Sequence, residues 1–534
     1  MGPVKNKAFL ILLTLLFISC GLKPKSQPVS FPVQGQVFTV LGREAAEGLL
    51  DFSKHARFEY QFTAAPVIVP PASFEIEYTL AGEGVVLEVG GKLWALPGEA
   101  GCIMHYAVPI EAISSFAVFL NGKDAVNPMR IYSVKFTERW YGFFNVQDEA
   151  VNHIYASPFI SRRPGESAAE SSWTVDPPAD LHIPAGFFPA LSVVPQSGAI
   201  SVDTGSLRFQ ALPQLRHLNI PAGMIAAGKP LVISGDPASF RLSYTVIPSF
   251  PLPVTADPGM VLAWPVENWR DPRYEVFKWE SFPSLLIFDT ANYEVQDRML
   301  KRLAFFVEKA GFRGRLAPDR EIAELHGWNA HDYRADDLAL FFQAARDAGF
   351  PLLAEERELE RSLFSAGIIR ESGAGITGGE GGIISISRES PDYLRYRFMA
   401  HEGFHGLFFI DEDFRAFSRR RWQQFPAQAK RFTVSFFNFQ RYDTADEYLL
   451  INEFMAHVLQ QPVSQAGYYF GQVLPLRLED SWRRADLPEK DQSSGSWPVL
   501  AAAFTREAEA FSAYVNSRWG LAAGRVHLVT VRQP

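Results

Sequence analysis

The hydrophobic pattern changes period near the middle of the chain. Between about residues 36 and 140 it is that of strands. Phe74-Glu75-Ile76-Glu77-Tyr78-Thr79-Leu80 alternates with period two, and Val85-Val86-Leu87-Glu88-Val89 follows after the turn Ala81-Gly82-Glu83-Gly84. Residues 116–120 run into Asn121-Gly122, a hairpin signal, before another alternating stretch at 130–136. Period two places alternate side chains on one face of a sheet, and closely spaced short strands predict an all-β, sandwich-like domain. From 141 to 250 the pattern continues with more proline. Residues 188–194 and 240–246 are the strand candidates, in a second β domain or a continuation of the first. Pro251, Pro253, Pro258 and Pro265 mark a linker over 251–275.

Beyond 275 the longer runs have helical period. Residues 284–290 read as a buried strand. Residues 293–310 form an amphipathic helix closed by Gly311, 336–348 a second closed by Gly349, and 355–364 a third. A glycine-rich loop over 373–382 lacks the lysine of a nucleotide P-loop, and the strand 383–387 follows it. That strand is either a paired strand or a sheet edge able to receive a substrate backbone. The expected architecture is multidomain, with β domains at 36–140 and 141–250 and a mainly helical α+β domain over 276–534.

Composition narrows the class. With 534 residues the chain has room for several domains, and its net charge of −8 argues against electrostatic binding of nucleic acid. Lys5 and Lys7 precede an apolar run over 8–18 that is too short to span a bilayer. Phe17-Ile18-Ser19-Cys20 resembles a bacterial lipobox, with Phe17 where that pattern has leucine. The resemblance implies a signal peptide over 1–19, a lipid on Cys20, a tether over 20–35 and attachment to the bacterial cell envelope on its periplasmic or surface side. Cys102, the other cysteine, then has no disulfide partner and reads as a small buried side chain.

The chemistry concentrates at His401-Glu402-Gly403-Phe404-His405, an HExxH motif. Ser390 as cap, Pro391 at the first helical position and Asp392 in the first turn predict a helix through it. Two histidines four apart share one helix face and can share one Zn²⁺, with the intervening glutamate as general base toward water. A catalytic zinc needs a third protein ligand. Thr444 and Glu447 read as the capping box of a helix running to Gln460, which accounts for Glu447. Glu453 lies mid-helix among Leu450, Ile451, Phe454 and Met455, where a carboxylate without a partner is costly. Asp411, six residues after His405, is the rival; its pattern requires glycine at 408, where this chain has Phe408.

HEGFH followed on a later helix by Asn452-Glu453-Phe454-Met455-Ala456 resembles the two metal-binding helices of gluzincin metallopeptidases. The resemblance covers those two helices, with an insertion over 412–443 between them. It implies a zincin-like fold, Zn²⁺ on His401, His405 and Glu453, Glu402 as general base, and hydrolysis of a peptide or protein substrate. The family often has aspartate where this chain has His457, which becomes either an acceptor behind a zinc histidine or a competing ligand. Tyr468, Tyr469 and His527 are candidates for stabilising an oxyanion. His326, His331 and Asp332 could line a site or belong to a loop before the helix at 336. Trp140, Tyr141 and Trp173 could form a sugar platform or lie in a core, so the β domains could bind carbohydrate or protein. The alternative function is a lipid-anchored binding or adhesion protein whose zincin fold is structural or inactive.

Overall fold

A computed structural model describes residues 250–478, except Ala374, and 496–533, together with much of 49–247 and two short strands before it. The signal segment and Cys20 lie outside the described residues. The tether expected over 20–35 ends in a hairpin, where Val29–Val33 pairs antiparallel with Gln36–Val40. The chain divides into two compact units, one made of residues up to 213 with 217–247 and 532–534, the other Pro248–Val531 with 214–216. β-Sheets fill the N-terminal half and helices dominate the C-terminal half. Among the described residues no helix is long and apolar enough to cross a membrane.

The first unit contains a nine-stranded sheet and a four-stranded sheet. The alternating residues Phe74, Ile76 and Tyr78 of one meet Leu87 and Val118 of the other in one core, as period-two patterning requires. Trp140–Asp148 lies between Phe240–Ile247 and Val151–Ala156, so strands from both sides of residue 140 share one sheet. The strands flanking Asn121 do not pair with each other as a hairpin there would require: Ser115–Leu120 belongs to the four-stranded sheet and Met129–Thr137 to the nine-stranded one, and Gly122 itself lies outside the described residues. The tight hairpin is at Gly90-Gly91, both with positive φ, joining Val89 to its partner Lys92. Trp173 is fully buried, a core side chain. The side chains of Trp140 and Tyr141 lie outside the described residues.

The second unit is built on a five-stranded sheet in the order Val254–Ala256, Tyr274–Trp279, Leu285–Thr290, Gly382–Ser387, His331–Arg334. The stretch 251–275 is therefore no linker. It supplies the first strand, and Asp257 caps the helix Pro258–Ala263 by accepting from Gly259 N, with Pro258 at its first position. Buried Met260, Val261 and Trp264 hold it in place. Gly382–Ser387 is interior, not an edge, in keeping with the burial of all six of its residues. The edge is His331–Arg334, antiparallel to it with Asp332 opposite Ile384.

Tyr293–Val307, Ala335–Asp347 and Ala354–Ala366 cover one face of this sheet, packed on Val276, Leu286, Phe288, Tyr333 and Ile383. Asp392–Ile410 covers the other. A Cβ at Gly406 would come within 2.9 Å of Leu285 Cδ1, and Ile384 Cγ2 is the next neighbour beyond that side chain. Glycine there lets the helix lie directly on the strands. Asp332 shares the face of Ile384 and so points toward this helix.

Candidate metal centre

The motif helix is fixed to the sheet before it reaches its histidines. Arg395 makes two 2.9 Å hydrogen bonds to buried Asp289, and Arg388 pairs with the same carboxylate at 2.7 Å. The expected Ser390 cap is absent. Pro391 occupies the cap position without a side-chain bond, and the Ser390 hydroxyl meets Tyr293 OH at 2.7 Å. One turn apart on the inner face, His401 Nε2 and His405 Nε2 lie 3.2 Å from each other.

The second helix is Glu447–Leu459. Its cap is Asp446, which accepts from Tyr448 N and Leu449 N and pairs with Arg313 at 2.9 Å. Thr444 instead donates to Asn438 Oδ1, so the capping box is not formed. A carboxylate is the stronger acceptor, and it starts the helix two residues later; Glu447 is exposed in the first turn. Glu453 then faces the histidines. Its oxygens lie 3.8 Å from His401 Nε2 and 3.8 Å from His405 Nε2. Donors around a zinc at its usual bond length stand about 3.4 Å apart, so these three residues could hold such an ion. Asp411 is engaged elsewhere, accepting from Phe414 N at 2.7 Å and from Arg518 at 2.6 Å.

The electrostatics of the triad are those of groups taken out of water. Glu453 is 4% exposed, and Oε2 has no hydrogen-bond partner. Burial, then the charges of Asp332 and Glu308, push its carboxyl well above the usual range, against a hydrogen bond donated by Tyr442. Burial, then His405 and His457, push His401 well below its ordinary value. A carboxylate and two imidazoles converging in this way could serve as a donor set for a divalent cation, whose charge would reverse the cost of burying Glu453.

Two further side chains complete the surroundings. His457 Nε2 lies 3.7 Å from Glu453 Oε2. Gln460 Nε2 is 3.3 Å from its Nδ1. The His457 Nε2 thus faces Glu453. Asp332, on the edge strand, puts Oδ2 3.8 Å from His405 Nδ1 and shares a hydrogen bond with Glu402. Burial first, then Asp332, raise Glu402 well above the carboxylate range. Among the described residues, metal-competent groups are His401–His405–Glu453 and Asp332–Glu402–His405.

Of these residues His401, Glu402 and Asp332 line a cavity of about 150 Å³, with His457, Tyr442, Glu308 and Trp328 among its other walls; His405 and Glu453 lie behind it. Of the residues expected to stabilise an oxyanion, none lines it. Tyr468 is 63% exposed, Tyr469 lies under Arg397, and His527 packs near Tyr396. Tyr442 does line it, and no motif in the sequence marked it. His331 also lines it; His326 does not. No family model matches the chain, and no curated protein matches it. The functional reading therefore rests on the residues of this site.

Proposed function

We propose that the protein is a zinc-dependent peptidase of gluzincin type, built on a zincin-like C-terminal unit and held at a bacterial envelope by a lipid on Cys20. The observation that carries this reading is the convergence of His401, His405 and Glu453, from two helices, beside a cavity that also contains Glu402. Those three residues would hold Zn²⁺. When bound, the ion supplies Lewis acidity toward a peptide carbonyl and toward water. Glu402 takes a proton from the attacking water and returns it to the departing amine, leaving a carboxylic acid and a free amine. Asp332 restrains Glu402 through their shared hydrogen bond, and Tyr442 donates to the Glu453 carboxylate.

The test is zinc per chain after dialysis against a weak chelator, with hydrolysis of a generic protein substrate measured on the same sample. One zinc per chain and measurable hydrolysis are expected. Glu402→Gln should keep the zinc and lose about 10²–10⁴-fold in rate, the usual share of a general base. A folded chain that takes up no zinc would overturn the reading and favour a binding lipoprotein.

A further inference from the structure

We propose that the cavity carries a cation subsite built on Glu308, which receives a protonated amine of the substrate. Glu308 directly follows the helix Tyr293–Val307, at the helix end where a negative charge is disfavoured. It is 7% exposed. Its one hydrogen bond comes from Trp328 Nε1, at 2.7 Å to Oε2. Among the described residues no cation stands within ion-pair distance of it. The neighbouring Lys309 acts on Glu308 through its charge, but its ammonium lies over the Trp328 ring, 3.0 Å from the centroid, outside ion-pair distance, and it does not line the cavity.

A carboxylate so placed is costly without a partner, and the side on which a partner can arrive is the cavity. The adjacent wall is aromatic. Trp328 carries Lys309 over one face and stacks on Tyr442 with the other, centroids 5.3 Å apart and planes at 18°, so it turns an edge and not a face to the space that Phe398 also lines. The carboxylate is then the group that favours an ammonium or guanidinium. Two parts of a peptide carry one, the free α-amine and a basic side chain. The word substrate rests on the peptidase reading; the subsite itself does not.

Three small probes separate the cases in ligand-detected NMR titrations of the full chain: leucinamide with a free α-amine, Nα-acetyl-lysinamide with a cationic side chain, and neutral Nα-acetyl-leucinamide. One cationic probe should bind at least about ten-fold tighter than the neutral one, a step of about 1.4 kcal/mol, and its identity names the source of the amine. Glu308→Gln keeps an acceptor for Trp328 and should abolish the preference while leaving the neutral probe's affinity and the zinc content unchanged. Equal binding of all three probes, no binding by any, or a preference that survives Glu308→Gln would overturn the proposal. A Glu308-dependent preference in a chain without zinc or hydrolysis would uphold the subsite and remove the peptidase reading alone.

Discussion

Glu453 and Asp411 offer the sharpest test of the metal centre, because both are carboxylates downstream of the motif and the structure gives them different duties. Asp411→Ala removes a helix cap worth about 1 kcal/mol and a surface ion pair worth up to about 1 kcal/mol. Arg518 in that pair is partly exposed, so the lower end applies. The variant should start about 1 kcal/mol less stable and still bind zinc. Glu453→Ala removes a buried group with no cap and no Arg or Lys partner, and should lose the stabilisation that zinc confers. At free zinc about 100 times the dissociation constant that gain is about 2.7 kcal/mol, or about 4–5 °C for a unit of this size. Thermal unfolding of both variants with and without zinc gives four midpoints against the wild-type pair. The expected pattern is a lowered baseline with a full zinc shift for Asp411→Ala, and no zinc shift for Glu453→Ala. If Asp411→Ala loses the shift and Glu453→Ala keeps it, the two-helix ligand set is wrong.

Asp332→Asn retains volume but removes the charge behind His405 and Glu402. Zinc affinity, read by competition with a chromogenic chelator, should fall about 10–100-fold; an unchanged affinity and rate would exclude a positioning role. His331, buried on the opposite face of the same strand and pushed down to about 3 by burial and then by Lys309, should make the zinc-free protein acid-sensitive. Above about pH 6.5 folded and unfolded chains both carry it neutral. Between about 6.5 and 3 the unfolded chain alone takes up a proton, so stability falls by about 1.4 kcal/mol per pH unit. In urea titrations at pH 6.5 and 5, His331→Gln should lose that part of the slope, and identical slopes would contradict it.

Much of the layout is legible in the chain because it is local. The strand at 85–89 and the helices near 293, 336 and 355 follow from period; Gly349 closes the second helix, while the first stops at Val307, short of Gly311. An i, i+4 histidine pair meets wherever a helix forms. Glu453 stands out for a similar reason: a carboxylate inside an apolar helix announces a cost. Asp332 is marked in the sequence only by its neighbours His326 and His331, which leaves a site and a loop both open. Its place depends on pairing with Ile384, some fifty positions later, and His331–Arg334 is too short to display a period. Reading prolines as a linker failed because Val254, Met260 and Trp264 were outweighed by composition, although their burial decides the fold there. The Thr444 cap failed because Asp446, a better acceptor with Arg313 behind it, lay two residues on. Tyr442 reaches the site through a turn in which Arg441 has φ of 66°, a conformation that no residue preference in the sequence advertised.

The edge strand gives the site a property of its own. His331–Arg334 is four residues long, pairs on one side, and carries the carboxylate that hydrogen-bonds Glu402 and stands 3.8 Å from His405 Nδ1. Short outer strands are the first parts of a sheet to fray, with opening energies well below that of the whole domain. Each opening would withdraw Asp332 while leaving His401, His405 and Glu453 on their helices. Competence would then flicker with the exchange of four backbone amides, and an extended partner chain that extended the sheet along this edge would hold the proton-handling part of the site closed without touching the ion's ligands.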